Sequence, residues 1–151
     1  MRRRKPRPNG RRRDPPTALK VSTGAFRVLI VDDEPAVAHA LRDYLADDGH
    51  DVEVALSGAE AVERVTRQRA DLVLLDITMP GMSGLEVLQR IKAIDDTIPV
   101  VMATANADEG LAQSTLALGA FDYLMKPFEF ARLAETIAAA RAYGAGGSDA
   151  R

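Results

Sequence analysis

The sequence predicts an α/β fold, a doubly wound five-stranded parallel sheet flanked by five helices. Short apolar runs recur five times between turn residues, and runs of four to eight such residues belong to buried strands more often than to helices. Stretches with apolar residues at helical spacing separate them. Strands that are apolar on both sides need cover on both faces, which right-handed crossover helices supply. At 151 residues the chain has the length of one domain. We expect that domain over residues 25–143, after a basic, disordered arm at 1–24 and before a flexible tail at 144–151.

Phe26 to Val31 reads as the first strand, ending at Asp32-Asp33. Pro35 suits the first turn of a helix, where a missing N–H costs nothing. Val37, Leu41, Tyr44 and Leu45 form its apolar stripe, and Gly49 stops it. Val52, Val54 and Leu56 alternate with polar residues, as in an edge strand. Ser57-Gly58-Ala59-Glu60 is a capping-box pattern opening the second helix, with Ala61, Val62 and Val65 inward.

The third strand, residues 71–76, climbs through Val73-Leu74-Leu75 to Asp76 and breaks at Met79-Pro80-Gly81. Ser83-Gly84-Leu85-Glu86 is a second capping box, with Leu85, Leu88 and Ile91 as that helix's stripe. Ile98 to Ala103 forms strand four, ending at Thr104. Asn106 to Glu109 caps a helix carrying Leu111, Thr115 and Leu118 before Gly119. Phe121 to Met125 is the fifth strand, with Met125 read as core, and it ends at Lys126-Pro127. The last helix turns Phe130, Leu133 and Ile137 inward, and Gly144, Gly146 and Gly147 end the order.

Composition narrows the function. Hydrophobic content of 46% with 28% charged residues is that of a globular protein. Absence of cysteine rules out disulfides and thiolate metal sites and fits a reducing, cytoplasmic setting. No apolar run approaches the length of a membrane span, and no apolar segment follows the N-terminal arginines as a secretion signal would require. Residues 1–20 carry nine Lys/Arg and one Asp, a net of +8; the rest carries eleven Lys/Arg and twenty-one Asp/Glu, a net of −10. An acidic body argues against nucleic acid as the main ligand, leaving at most weak contact through the arm. Three uses fit the arm: a solvated tail, an anchor to nucleic acid or a membrane surface, or a contact with a specific partner.

The polar residues fall at strand ends. Asp32 and Asp33 end strand one, Asp76 strand three, Thr104 strand four and Lys126 strand five. In a parallel sheet these ends share the carboxyl edge, where open α/β folds bind ligands. A single aspartate there is equally compatible with a polar strand end facing water; four strands supplying this set is not ordinary. Three carboxylates against one ammonium leave a local charge near −2, which raises their pKa values or demands a cation. Oxygen donors without Cys or His in the pattern suit a hard ion such as Mg²⁺. A carboxylate beside it can act as a nucleophile, and Mg²⁺, Lys126 and Thr104 are the three kinds of group that spread the charge of a phosphoryl group.

These residues, with Met79-Pro80-Gly81-Met82-Ser83-Gly84, Thr104-Ala105 and Lys126-Pro127-Phe128, resemble the receiver domain of two-component response regulators, the CheY-like (flavodoxin-like) fold. The resemblance runs from about Arg27 to Arg141 and implies the strand order 2-1-3-4-5. It implies that Asp76 accepts a phosphoryl group from a histidine of a sensor kinase or histidine phosphotransfer protein. Asp32 and Asp33 then position Mg²⁺, Asp33 directly, with Asp76 and the backbone carbonyl of Thr78 completing the protein's ligands. Lys126 pairs with the phosphoryl oxygens, and its peptide bond to Pro127 is expected to be cis. Thr104 shifts to bond the phosphoryl group, and Tyr123 moves inward behind it. Thr78 and Asn106 line the site.

The function expected is a single-domain response regulator, a switch rather than an enzyme. Its signalling face would be the fourth helix, fifth strand and fifth helix, roughly residues 105–141, meeting a separate target or a second copy in a phosphorylation-dependent dimer. Two other readings stand beside it. A Mg²⁺-dependent phosphatase with Asp76 as nucleophile would need a further acidic motif and a cap domain, and neither is visible. A nucleic-acid-associated protein would rest on the arm alone. His39 and His50 read as surface or packing histidines.

Overall fold

The computed structural model describes residues 25–105 and 109–149. The arm at 1–24, the expected cap at Asn106 and the last two tail residues lie outside the described residues. The elements are β1 (Arg27–Val31), α1 (Pro35–Asp47), β2 (Asp51–Ala55), α2 (Gly58–Arg67), β3 (Leu72–Asp76), α3 (Gly84–Ile94), β4 (Val100–Thr104), α4 (Glu109–Ala117), β5 (Asp122–Met125) and α5 (Phe130–Asp149). The strands form one sheet in the order β2-β1-β3-β4-β5, every neighbouring pair parallel. This is the CheY-like, flavodoxin-like topology that the sequence predicts. Among the described residues no helix is long and apolar enough to cross a membrane.

Strand alternation sorts the core into two halves. Leu29, Val31, Val73, Leu75, Val100 and Met102 face α2 and α3, where Val65, Leu88 and Ile91 meet them. Val28, Ile30, Leu72, Leu74, Val101 and Leu124 face α1 and α5, where Leu41, Leu45, Leu133 and Ile137 close the layer. β3 and β4 are buried at every position. A two-sided core of this kind is why their sequences show no polar alternation. Each large aliphatic side chain so buried contributes about 1.5–3 kcal/mol.

Both capping boxes form on the Ser side. Ser57 Oγ accepts the Glu60 N–H at 3.1 Å, and Ser83 Oγ accepts the Glu86 N–H at 3.2 Å. The return bond of the first box lands one residue early, since Glu60 accepts the Leu56 N–H at 2.9 Å. Several apolar residues expected inside lie outside. Met125 is 47% exposed and Phe130 39%, and Leu56 and Leu118 are likewise exposed. Met125 ends the outermost strand of the sheet, and Leu56 and Leu118 lie just past the ends of their elements. On α3 the buried stripe is Val87, Leu88 and Ile91, with Leu85 only half-buried. The backbone of α5 is helical to Asp149, past the glycines expected to end it. Glycine weakens a helix by about 1 kcal/mol per residue without forbidding it.

Candidate functional site

Parallel pairing fixes what meets at the carboxyl edge. Val31 lies opposite Leu75, Asp76 opposite Ala103, and Thr104 opposite Met125. The residues at or just beyond those strand ends, Asp32, Asp76, Thr104 and Lys126, therefore form one row. Asp32 is held by its own N–H, which donates to the Ala55 carbonyl at 3.1 Å. Its side chain is 3% exposed. One oxygen accepts the Glu34 N–H at 3.0 Å; the other accepts from Lys126 Nζ at 2.9 Å.

Asp76, the last residue of β3, is 7% exposed, and its Oδ1 accepts the Thr78 N–H at 3.2 Å. Lys126 Nζ stands 3.7 Å from Asp76 Oδ2, so one ammonium bridges two buried carboxylates. Asp33 is the more open member of the group. Carboxylate oxygens of Asp32, Asp33 and Asp76 all lie within 4.8 Å of one another. An oxygen-only cluster of this size, with the third carboxylate open to solvent, fits a hard divalent cation.

The charges act on one another as that packing requires. Burial pushes the Asp76 carboxyl above its ordinary value; Lys126 and the Thr78 N–H pull it down, and Asp32 and Asp33 push it up again. Burial alone would weaken the Lys126 ammonium. The hydrogen bond to Asp32 and the charges of Asp32, Asp76 and Glu34 outweigh that, and its pKa is raised.

Thr104 is wholly buried, and its carbonyl accepts the Lys126 N–H at 2.7 Å, tying the end of β4 to the lysine backbone. The Lys126-Pro127 peptide bond is cis. Tyr123 lies opposite Met102 and packs half-buried against the α2/α3 side of the core. Thr104 is two residues beyond Met102, so strand alternation puts it on the same sheet face as Tyr123, diagonally offset. Thr78 is exposed beside Asp76. His39 is exposed on α1, and His50 packs edge-on to Phe26 at 6.0 Å; both lie away from the carboxylates.

Two residues at the site carry more than the sequence suggested. Glu34 follows the aspartate pair, lends its N–H to Asp32 and adds its negative charge to those of Asp32 and Asp76 near Lys126; its position directly after Asp32-Asp33 was the available signal. Gly84 reads in sequence only as the second residue of a capping box. A Cβ there would lie 2.5 Å from Ile77 Cα and 2.8 Å from the Asp76 carbonyl oxygen. Its N–H donates to the Ile77 carbonyl at 3.0 Å. The start of α3 is thus pressed against the backbone that carries Asp76, an approach only glycine permits.

Comparison with known proteins agrees with this geometry. The sequence profile described as the response regulator receiver domain matches residues 28–138. The sporulation initiation phosphotransferase F of Bacillus subtilis is 36% identical over 111 residues, which cover 74% of this chain and 90% of that protein. The response regulator MprA of Mycobacterium leprae is 41% identical over 114 residues, 76% of this chain and 50% of the relative. The chain thus spans about half the length of the mycobacterial response regulators it matches. Among solved structures, a CheY-like receiver domain protein from Methanospirillum hungatei superposes with a TM-score of 0.80 at 28% identity, covering 82% of this chain and 99% of that one. The chemotaxis protein CheY4 of Vibrio cholerae gives 0.74 at 29% identity, covering 78% and 99%.

Proposed function

We propose, for a chain that belongs to the response regulator receiver domain family, that Asp76 is its phosphoacceptor and that modification of Asp76 switches protein contacts. Receiver domains are phosphorylated by sensor kinases and meet histidine kinases or phosphotransfer proteins. The observation that carries the assignment is the convergence of Asp32, Asp33, Asp76 and Lys126 at one sheet edge.

In the proposed step an Asp76 carboxylate oxygen attacks phosphorus on a phosphohistidine. The new O–P bond forms as the P–N bond breaks, and the imidazole leaves with the electron pair and takes up a proton. Asp32, Asp33, Asp76 and the Thr78 carbonyl would hold Mg²⁺, whose charge when bound offsets repulsion between carboxylates and phosphoryl oxygens. The Thr78 N–H restrains one Asp76 oxygen, leaving the Oδ2 side, where Lys126 lies, for the incoming group. Lys126 supplies a fixed positive charge where negative charge gathers. Thr104 contributes a hydroxyl from the neighbouring strand end.

Output in this reading runs through α4, β5 and α5. Exposed apolar residues support it, since Leu116 and Met125 are each nearly half exposed and Leu118 lies between them in sequence. A separate target or a second phosphorylated copy would cover this face. Phosphoryl transfer and self-hydrolysis are then steps of a switch rather than turnover of a substrate.

Intact mass after incubation with Mg²⁺ and acetyl phosphate tests the assignment. A single phosphoryl adduct on the natural chain that is missing from Asp76→Ala is the expected result. An adduct that persists in Asp76→Ala, or none on either protein, overturns it.

A further inference from the structure

A second glycine repeats the close approach of Gly84, one helix further from Asp76. Gly58 opens α2 and is buried. A Cβ on it would lie 2.6 Å from Val87 Cγ2, 3.1 Å from Met82 Cβ and 3.4 Å from the Met82 carbonyl oxygen. Val87 is wholly buried in the first turn of α3. A β-branched side chain on a helix keeps essentially one rotamer, so its methyl group cannot swing aside. The start of α2 is thus seated on the Met82–Val87 segment, whose Gly84 in turn rests on Ile77 and the Asp76 carbonyl.

The two sides that meet at Gly58 are not equally firm. Ala61 and Val65 hold α2 in the core, and Ser57 caps it. Glu60 accepts the Leu56 N–H, and Arg64 reaches both Glu60 and Glu53 of β2. Across the contact, Pro80, Gly81 and Ser83 of the loop before α3 are exposed. Any extra volume at Gly58 is therefore taken up by that loop and the start of α3. Movement there has a short path to Asp76. The Gly84 N–H donates to the Ile77 carbonyl at 3.0 Å, and that carbonyl shares one rigid peptide plane with the Thr78 N–H. The Thr78 N–H is the donor that restrains Asp76 Oδ1, at 3.2 Å. Tilting the plane at one end re-aims it at the other.

We propose that Gly58 is a positioning residue for Asp76. Its missing side chain sets how closely α2 seats Met82 and Val87. Through Gly84 and the Ile77–Thr78 peptide plane, that seating fixes the direction of the Thr78 N–H on Asp76. The consequence for phosphoryl transfer rests on the reading of Asp76 as phosphoacceptor; the mechanical link does not.

The test compares the natural chain with Gly58→Ala, Val87→Ala and the two together. In ¹⁵N spectra of the metal-free proteins, Gly58→Ala should shift the Thr78 amide peak. The shift caused by Gly58→Ala should largely vanish in the Val87→Ala background, where the added methyl has room. Val87→Ala loosens the same seat and should move the Thr78 peak by itself, so the link is tested even if Gly58→Ala does not fold. A Cβ 2.6 Å from Val87 Cγ2 must gain about 1 Å to reach an ordinary carbon–carbon contact. A misplacement of 1 Å can cost on the order of 10²-fold in rate; with half of it reaching Asp76, adduct formation with Mg²⁺ and acetyl phosphate should slow roughly ten-fold. Val87→Ala in the same chain should recover most of that loss. A Thr78 peak unmoved in both single variants, or a Gly58→Ala effect of equal size in both backgrounds, overturns the link. A moved peak with an unchanged rate overturns the positioning role. A moved peak with no adduct on the natural chain would instead sink the phosphoacceptor reading and leave the link standing.

Discussion

Substituting Gly84 by alanine should damage both the fold and the site. The new Cβ would lie 2.5 Å from Ile77 Cα, 2.8 Å from the Asp76 carbonyl oxygen and 2.9 Å from that of Ile77. All three are backbone atoms, so no side chain can swing aside, and the start of α3 must retreat from the β3 end. Overpacking of this kind costs about 3 kcal/mol at the upper end of its usual range. The lower entropy of the unfolded alanine chain returns about 0.5–1 kcal/mol. The net loss of about 2 kcal/mol corresponds, for ~120 ordered residues unfolding with roughly 0.25 kcal/mol/K, to a fall in Tm of about 8 °C. Gly81→Ala is the control. Gly81 has φ 78° with open space around its would-be Cβ, so its cost is the left-handed backbone alone, about 1–2 kcal/mol before the same entropic return. Thermal unfolding by circular dichroism ranks the two. Phosphorylation by acetyl phosphate, measured well below both midpoints, should slow more in Gly84→Ala, because the displaced backbone carries Asp76. Equal midpoints, or the reverse order, would refute the close-approach argument.

Three further substitutions test the electrostatics. The Asp76 carboxyl is raised by burial, so its neutral form suits the folded state, and its contribution is lost as pH rises through the folded pKa. Asp76→Asn should therefore stabilise the metal-free protein at pH 7–8, by about 1 kcal/mol, with the gain shrinking toward pH 4 in denaturant titrations. Lys126→Met removes the cation 2.9 Å from Asp32 and 3.7 Å from Asp76; a drop of about 3 kcal/mol in metal-free buffer, partly recovered in millimolar Mg²⁺, is the expected outcome of melting with and without the ion. His50 is lowered first by burial, with Asp48 opposing and Arg141 assisting. Its stabilisation is thus present above the unfolded histidine value of about 6.5 and lost as pH falls from there through the lower folded value. His50→Phe should flatten the stability profile between pH 7 and 5, and an unchanged slope would count against this account.

What the sequence made legible was what periodicity and strand ends encode. The five strands, their helices and the row of Asp32, Asp76, Thr104 and Lys126 follow from apolar runs ending in polar residues, because parallel pairing leaves those ends no other place. Side-chain exposure at element ends was less legible. Met125 and Phe130 sit in apolar patterns, yet each stands at the end of its element and is more than a third exposed. The role of Gly84 was hidden for a related reason. Its capping-box position explains a glycine cheaply, whereas its contact with Ile77 is tertiary and has no sequence periodicity.

On the proposed reading, the arrangement of charges at this edge gives it the means to act as a switch. One ammonium serves two buried carboxylates and lies closer to Asp32 than to Asp76, 2.9 Å against 3.7 Å. If Asp76 carries a phosphoryl group, a charge of −1 at that position becomes roughly −2 with three strong acceptor oxygens, and the balance of attraction on Lys126 moves toward it. The lysine cannot answer alone, since its N–H is bonded to the Thr104 carbonyl at 2.7 Å. Motion of Lys126 and motion at the end of β4 are therefore mechanically joined. Thr104 shares a sheet face with Tyr123, so a displacement there alters the packing of β5 against α4, whose Leu111 touches the same side of the core. A double-mutant cycle of Lys126→Met with Thr104→Val tests that joint. Their effects on the response of β5 amide exchange to beryllofluoride should be strongly non-additive. Independent, additive effects would mean that the two strand ends read the phosphoryl group separately.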